Sequence, residues 1–210
     1  MGREAHAKNP VGRPRRSGAE GGAADTRGAV LDRAEALLAA RGYAGMSMDE
    51  LARAAGITKG TLYHHFPDGK DGLILAVGHR SLERHGRGLG AAVTGAGDTR
   101  AALQAVARWV LESTGSPDQL VRDATRFLPE HHAGEMARAF FAQVFGPVRE
   151  VLEQGVSRGD LAPHDTEFVA WAFLGLLAEF SELQRLVVRP DLAGQIVEMV
   201  LAGIVNPPRR

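Results

Sequence analysis

The sequence predicts an all-α protein. Apolar residues recur at intervals of three and four along most of its 210 residues, which is the spacing of one face of a helix. Glycine and proline residues separate these segments, as expected at helix boundaries. No stretch alternates apolar and polar residues over the length of a strand, and no internal repeat is present.

The charge is balanced overall but not along the chain. The protein has 25 basic and 25 acidic residues; residues 1–90 hold 14 and 10, a net charge of +4, and residues 91–210 hold 11 and 15, a net charge of −4. A basic front half favours an anionic partner such as nucleic acid, although chance also explains an excess of this size. The absence of cysteine excludes a disulfide framework and a thiolate zinc site.

No secretory signal or membrane span is expected. No apolar segment follows the early charges. The longest apolar run, Phe168 to Ala178, is shorter than the roughly 20 residues that cross a bilayer. We therefore expect a soluble, cytoplasmic protein.

The chain is predicted to begin with a basic arm, which a first helix follows. Residues 1–24 are rich in Gly, Ala, Arg and Pro without apolar periodicity, and we expect them to form a disordered basic arm. A first helix then begins at an Asp25 cap and ends near Gly42. Its inward stripe is predicted to be Val30, Ala34, Leu37 and Leu38.

The next two helices carry the clearest local signals. Ser47 and Glu50 form a capping box, and Met46 and Leu51 occupy the positions of a hydrophobic staple. Gly56 ends the second helix. Thr58 caps a third helix that spans Lys59 to Phe66, and Pro67-Asp68-Gly69 stops it. A fourth helix is predicted over residues 70–87.

The second half of the chain is predicted to form a separate helical domain. Small residues over 89–97 are typical of a flexible joint, so the domain boundaries are placed at 25–88 and 89–210. Helices are predicted over 98–113, 117–127, 132–157, 165–188 and 191–204. Gly146-Pro147 is expected to kink or split the longest of them.

The third helix offers a polar face for contact with a partner. At 100° per residue, Leu62 and Phe66 point toward helices one and two, whereas Gly60 and His64 lie on the opposite side. Thr61 and Tyr63 flank that exposed face. Two helices joined by a short glycine-containing turn form a helix-turn-helix, and eight residues span about 12 Å, close to the width of a DNA major groove.

Charged and capping groups at the helix ends suit phosphate. Thr58 and the free N–H groups of the helix start can bind a phosphate, and Lys59 and Lys70 add positive charge. A solvated polar face without function is the alternative. A metal site at His64-His65 is disfavoured, because adjacent helical side chains diverge by about 100°.

These residues carry a family resemblance. The stretch from Met46 to Ile74, "MSMDELARAAGITKGTLYHHFPDGKDGLI", resembles the DNA-binding head of the TetR family of bacterial transcriptional regulators. The loop from Phe66 to Lys70 is one residue longer than the common family pattern, and the subset resembling LmrA and YxaF shares that loop. The residues we assign to DNA contact are Ser47, Thr58, Lys59, Gly60, Thr61, Tyr63, His64, His65 and Lys70.

The resemblance implies a dimer and a ligand pocket. A helix that is apolar on all sides, as over residues 168–180, is expected to be buried on all sides. One face can pack on its own domain and the other on a partner subunit; the core of a monomer is the alternative. In the family two such helices per subunit form a four-helix interface; the positions assigned here are Phe168, Trp171, Ala172, Gly175, Leu176, Glu179, Ile196, Val200 and Ile204. The positions assigned to a small-molecule pocket are Trp109, Phe127, Met136, Phe140, Phe141, Phe145 and Trp171, although core packing explains each of them as well.

The N-terminal arm has two interpretations. Its "GRPRR" segment, Gly12 to Arg16, resembles the core of an AT-hook, which enters the minor groove of DNA. A merely solubilising tail is the alternative.

The sequence therefore predicts a homodimeric, non-enzymatic regulator. It would bind a palindromic double-stranded operator and, most simply as a repressor, release it on binding a small apolar effector. The alternative is a helical small-molecule-binding protein or enzyme whose front helices are scaffold only. We expect no cofactor, catalytic residue or metal; His131 and Glu135 have the spacing of two metal ligands but also that of a solvated helix start.

Overall fold

The described part of the chain is helical throughout. The computed structural model describes residues 19–113, 117–184 and 189–203, with side chains from 25–113, 122–184 and 189–203. Within these ranges the helices are α1 (Ala19–Gly45), α2 (Met48–Ala54), α3 (Lys59–His65), α4 (Gly69–Val93), α5 (Thr99–Glu112), α6 (Pro117–Phe127), α7 (Glu130–Phe140), α8 (Gly146–Arg158), α9 (Thr166–Leu183) and α10 (Leu192–Leu201). None of these helices is both long and apolar enough to cross a membrane.

Side-chain caps set the start of five helices. In each, the oxygen of the capping residue accepts a hydrogen bond from the backbone N–H three residues later. The oxygen-to-nitrogen distances are 3.1 Å at Ser47, 3.1 Å at Thr58, 2.7 Å at Asp98, 3.0 Å at Asp165 and 3.2 Å at Asp191. The caps predicted at Ser47 and Thr58 are confirmed.

The first helix departs from its predicted limits at both ends. It begins at Ala19, so Asp25 lies inside the helix and does not cap it. Gly42 has φ of 67° and ψ of 180°, which breaks the helical backbone at the predicted end, although one further turn follows to Gly45. The predicted arm segment 12–16 lies outside the described residues.

The fourth helix is longer than predicted and leaves no joint over residues 89–93. It continues to Val93, and only residues 94–98 connect it to α5. Leu89 is buried in the body of the protein, which holds this last part of α4 helical despite its glycines. Packing therefore outweighs the low helix propensity of glycine here.

The predicted long helix over 132–157 is split. A π-helical turn, Phe141–Phe145, separates α7 from α8, and the N–H of Gly146 donates to the carbonyl of Phe141, five residues earlier. Pro147 has no N–H and cannot continue the usual hydrogen-bond pattern. The wider π spacing accommodates this missing donor at the site where the sequence predicts a break.

The described residues form two hydrophobic clusters, and α4 belongs to both. The head cluster joins α1, α2 and α3 to Leu73 and Val77 of α4. The body cluster joins α5 to α10 to Leu82 and Leu89 of the same helix. Helix α4 therefore links the two clusters.

Candidate nucleic-acid interface

The turn between α2 and α3 fixes the orientation of the third helix. Gly56 adopts φ of +67°, a left-handed conformation that favours glycine. The N–H of Ile57 donates to the carbonyl of Ala52 at 3.0 Å and closes the end of α2. The chain then enters α3 at Thr58, whose cap sets where the helix begins.

The third helix has one buried and one exposed face, as predicted. Leu62 and Phe66 are 0% and 3% exposed and pack in the head cluster. Gly60 and His64 are exposed on the other side, and the Tyr63 side chain is 40% exposed. Thr61 and His65 are half-buried at the edges of this face. The described fold thus presents aromatic and imidazole groups to solvent from a short, well-anchored helix.

The two hydroxyl groups at the start of α3 are linked. Thr58 Oγ1 accepts from the backbone N–H of Thr61 at 3.1 Å and lies 2.9 Å from Thr61 Oγ1. Thr58 is therefore held as a cap, and its remaining exposed surface lies beside Lys59 and Gly60. Ser47, exposed at the start of α2, is held in the same way by its bond from the N–H of Glu50.

The two lysines near α3 have different surroundings. Lys59 Nζ lies 2.7 Å from Asp49 Oδ1, and this hydrogen bond and the charge of Asp49 raise the pKa of Lys59. Both side chains are exposed, so Lys59 is free to exchange this partner for a phosphate. Lys70 Nζ instead lies 4.2 Å from the centre of the Tyr43 ring. Lys70 is thus drawn toward α1, which was not predicted from the sequence.

Tyr43 connects this region to α4. Its hydroxyl donates to Asp71 Oδ1 at 2.7 Å, and burial together with this carboxylate raises the pKa of Tyr43 to about 12. Tyr43 also stacks on Phe127 with ring centres 4.9 Å apart. The phenol therefore stays protonated and joins α1, α4 and α6.

The residues predicted to line one ligand pocket lie in separate places. Phe140, Phe141, Phe145 and Trp171 form one aromatic group, with ring centres of the last two 4.7 Å apart. Phe127 packs on Tyr43 instead. Met136 lines a small cavity of about 80 Å³ beside Tyr43 and Val77. The described residues thus place these predicted positions in separate surroundings, Phe127 and Met136 near Tyr43 and the other aromatic residues around Trp171.

Trp109 lines a cleft of about 520 Å³ between α1, α4 and α5. Its other lining residues are Glu35, Arg84, His85, Glu112 and Ser113. None of these five residues was predicted from the sequence. A signal for His85 was available, since it lies between Leu82 and Leu89 on the apolar face of α4 and is itself 2% exposed. A histidine on such a face marks a polar group that the core must accommodate.

The ninth helix exposes an apolar stripe. Phe168 is 70% exposed and Trp171 is 43% exposed; Ala172, Gly175 and Glu179 are exposed and Leu176 is half-buried. The opposite side, which includes Phe173 and Leu177, is completely buried.

One predicted interface residue of α10 is reassigned. Ile196 is 2% exposed and packs in the body cluster, so it contributes to the core of its own chain and is not available to a partner. Val200 is half-buried, and Ile204 lies outside the described residues. Met199, which the pattern did not single out, is 55% exposed. Helix α10 is apolar on more than one side, which is why spacing alone did not separate these faces.

Glu135, which has the spacing of a metal ligand with His131, contacts a histidine of α4 instead. Glu135 Oε1 lies 3.3 Å from His79 Nε2, and the rings of His131 and His132 are 4.0 Å apart. In the part of the chain that the structure describes, no three His, Asp or Glu side chains are arranged to hold a metal ion.

Comparison with known families matches both halves of the fold. Residues 30–77 match the N-terminal model of the bacterial regulatory proteins of the TetR family, and residues 101–206 match the C-terminal domain of AefR-like transcriptional repressors. The chain belongs to the TetR family. The first match covers the helix-turn-helix and its supporting helices, and the second covers α5 to α10, including Trp109 and the α9 stripe.

Individual relatives agree with this membership. The chain is 37% identical to LmrA of Bacillus subtilis over 51 residues, which are 24% of this chain and 27% of LmrA. It thus spans only about a quarter of the length of the curated relatives that it matches. Reduced NemR of E. coli has the same fold, with a TM-score of 0.72 at 22% identity over 88% of this chain and 100% of NemR. AibR in complex with isovaleryl coenzyme A and operator DNA has a TM-score of 0.64 at 22% identity over 87% of this chain and 99% of AibR.

Proposed function

We propose that this TetR-family protein is a homodimeric, sequence-specific DNA-binding repressor that a small apolar effector releases from a palindromic operator. The observation that carries this proposal is the exposed face of α3, which is anchored by Leu62 and Phe66 and presents Tyr63 and His64 to solvent. A regulator of this kind acts at the chromosome, in the cytoplasm, and performs no catalysis.

Gly60 supports the placement of α3 in a groove. An added Cβ at this position would meet only Thr58 Oγ1 at 3.7 Å, an ordinary contact, so the protein's own packing does not require glycine. Glycine within a helix costs about 1 kcal/mol relative to alanine. Close approach of a DNA backbone or base edge to α3 would explain why this position is glycine despite that cost.

The assigned contacts divide by chemistry. Lys59, with Thr58 and Ser47 at the two helix starts, would contact phosphates and fix the position of the head on the duplex. Tyr63 and His64 would reach base edges, with Thr61 and His65 beside them. Lys70 would reach a phosphate only by moving away from the Tyr43 ring, so we expect it to contribute least to DNA binding.

The α9 stripe supports dimerisation. In an isolated subunit, Phe168 and Trp171 expose large apolar side chains to solvent. Contiguous apolar surface of this kind is typical of an interface. A two-fold dimer would place two copies of α3 about 34 Å apart, on successive turns of the major groove.

The response to an effector would pass through α4. This helix belongs to both hydrophobic clusters, and Arg80 pairs with Asp32 and Glu35 of α1 at 2.7 Å and 2.9 Å. A ligand that shifts α4 in the body would thus shift the head. AibR, of the same fold, is recorded in complex with isovaleryl coenzyme A and operator DNA, so a protein of this fold can hold a small molecule and DNA.

The test is specific binding to DNA from the protein's own upstream region. Fluorescence anisotropy at fixed salt compares labelled upstream fragments with shuffled fragments of the same base composition. We expect at least about a thousandfold tighter binding to one upstream fragment, and a stoichiometry that is a multiple of two subunits. Equal affinity for all fragments would contradict sequence-specific recognition.

A further inference from the structure

The cleft between α1, α4 and α5 is built around one close contact. A Cβ on Gly88 would lie 1.9 Å, 2.1 Å and 2.5 Å from three atoms of the Trp109 indole, so only glycine leaves room for this ring on α4. His85 stands one helical turn before Gly88, and both His85 and Trp109 line the cleft. The two side chains therefore belong to one surface.

His85 has one free nitrogen. Its Nδ1 lies 2.8 Å from the carbonyl oxygen of Ser81, which can only accept, so Nδ1 carries the proton and donates. In the neutral imidazole Nε2 is then an acceptor. This atom is buried and has no hydrogen-bond partner among the described residues.

Trp109 supplies the complementary group. Its Nε1–H is a donor and has no acceptor capacity. It is likewise buried without a partner in the described residues. Buried polar atoms are ordinarily paired, so an unpaired donor and an unpaired acceptor on two side chains that line one cleft indicate a missing partner.

We propose that this cleft binds a neutral, planar apolar molecule that carries a hydroxyl group. On binding, the two side chains turn their buried nitrogens toward the cleft, so that the hydroxyl oxygen accepts from Trp109 Nε1–H and the hydroxyl hydrogen is donated to His85 Nε2. A phenol or an aromatic alcohol satisfies both atoms at once, whereas a hydrocarbon satisfies neither. The ring system of such a ligand fits within about 520 Å³ alongside the indole.

An ion pair in the wall of the cleft would couple a bound ligand to the position of the head. Glu35 of α1 pairs with Arg84 at 2.5 Å, and both residues line the cleft. A bound molecule that displaces Arg84 loosens the attachment of α1 to α4. This regulatory step rests on the proposed DNA-binding function, but the binding of the hydroxyl compound does not.

Isothermal titration calorimetry on the full protein without DNA tests the site. The two probes are 2-naphthol and 2-fluoronaphthalene, which differ by a hydroxyl against a fluorine of similar size. We expect 2-naphthol to bind at least about tenfold more tightly, because only it pairs both buried atoms. Equal affinity for the two probes, or no binding of 2-naphthol, would overturn the site.

Variants separate pairing from packing. Trp109→Phe and His85→Phe each remove one of the two hydrogen bonds and are each expected to lower the affinity ratio of the two probes, while Ser157→Ala, at an exposed position of α8, leaves the ratio unchanged. A general loss of packing would weaken both probes alike and keep the ratio, which would contradict the assignment of these two nitrogens. If a variant does not fold, the ratio in the unaltered protein decides alone.

The two proposals fail separately. A protein that binds its operator but does not prefer 2-naphthol refutes the hydroxyl site and leaves DNA binding intact. A protein that prefers 2-naphthol but binds no upstream DNA refutes the proposed function and leaves the site in place.

Discussion

Replacing Gly88 by alanine tests how α4 and α5 fit together. The new Cβ would lie within 2.5 Å of three indole atoms of Trp109, which is closer than real Cβ contacts. Because the ring is wide and pressed against the helix, it must move as a whole. Overpacking of this kind costs typically about 1–3 kcal/mol.

Helix propensity acts in the opposite direction and must be measured separately. Alanine is about 1 kcal/mol more favourable than glycine inside a helix. Gly90 lies in the same helix, is exposed and has no atom within 4 Å of an added Cβ. Gly90→Ala therefore gains the propensity without the clash, and serves as the matched control.

Urea unfolding at one fixed protein concentration measures both variants. A fixed concentration matters because unfolding of a dimer depends on it. We expect Gly88→Ala to have a free energy of unfolding about 1–3 kcal/mol below that of Gly90→Ala. If Gly88→Ala is as stable as Gly90→Ala, the close packing of Trp109 on α4 is refuted.

Three further predictions concern the cap, an ion pair and the exposed stripe. Thr58→Ala removes the α3 cap and is expected to lower the free energy of urea unfolding by about 1 kcal/mol; no loss would contradict the capping role. Burial raises the pKa of Glu35, but hydrogen bonds from Arg84 and Arg80 outweigh it and lower this pKa below its ordinary 4.5. The ionised Glu35 therefore stabilises the folded protein at pH values above 4.5, and this contribution is lost as the pH falls through the lower pKa of the folded state. Glu35→Gln is therefore expected to reduce stability at neutral pH and to flatten its decline in acid, and an unchanged pH profile would contradict this. Phe168→Glu is expected to shift the protein toward monomers in analytical ultracentrifugation, whereas the exposed Ser157→Glu on α8 leaves the dimer intact; equal behaviour of the two would place the interface elsewhere.

Local chemistry explains what the sequence predicted well. The caps at Ser47 and Thr58 and the turn at Gly56 depend on residues within four positions of each other, so spacing suffices to place them. The inward face of α3 follows from the same reasoning, since Leu62 and Phe66 are one turn apart.

Tertiary packing explains what the sequence did not predict. The last turns of α4 remain helical because Leu89 is buried and Trp109 covers Gly88, contacts that join residues about 20 positions apart. Trp109 and Phe127 were grouped by type, but Trp109 packs on Gly88 of α4 whereas Phe127 stacks on Tyr43 of α1. Ile196 was misassigned because a helix apolar on several sides does not reveal by spacing which side faces its own core.

The central claim is that the exposed face of α3 enters DNA, and the Tyr63→Ala/His64→Ala double variant tests it most directly. Both side chains face solvent, so the variant should keep its thermal stability and its oligomeric state. We expect its anisotropy-measured affinity for the specific upstream fragment to fall about 10- to 100-fold, while its affinity for shuffled DNA changes little. A folded double variant that holds the specific fragment as tightly as the parent would contradict the claim.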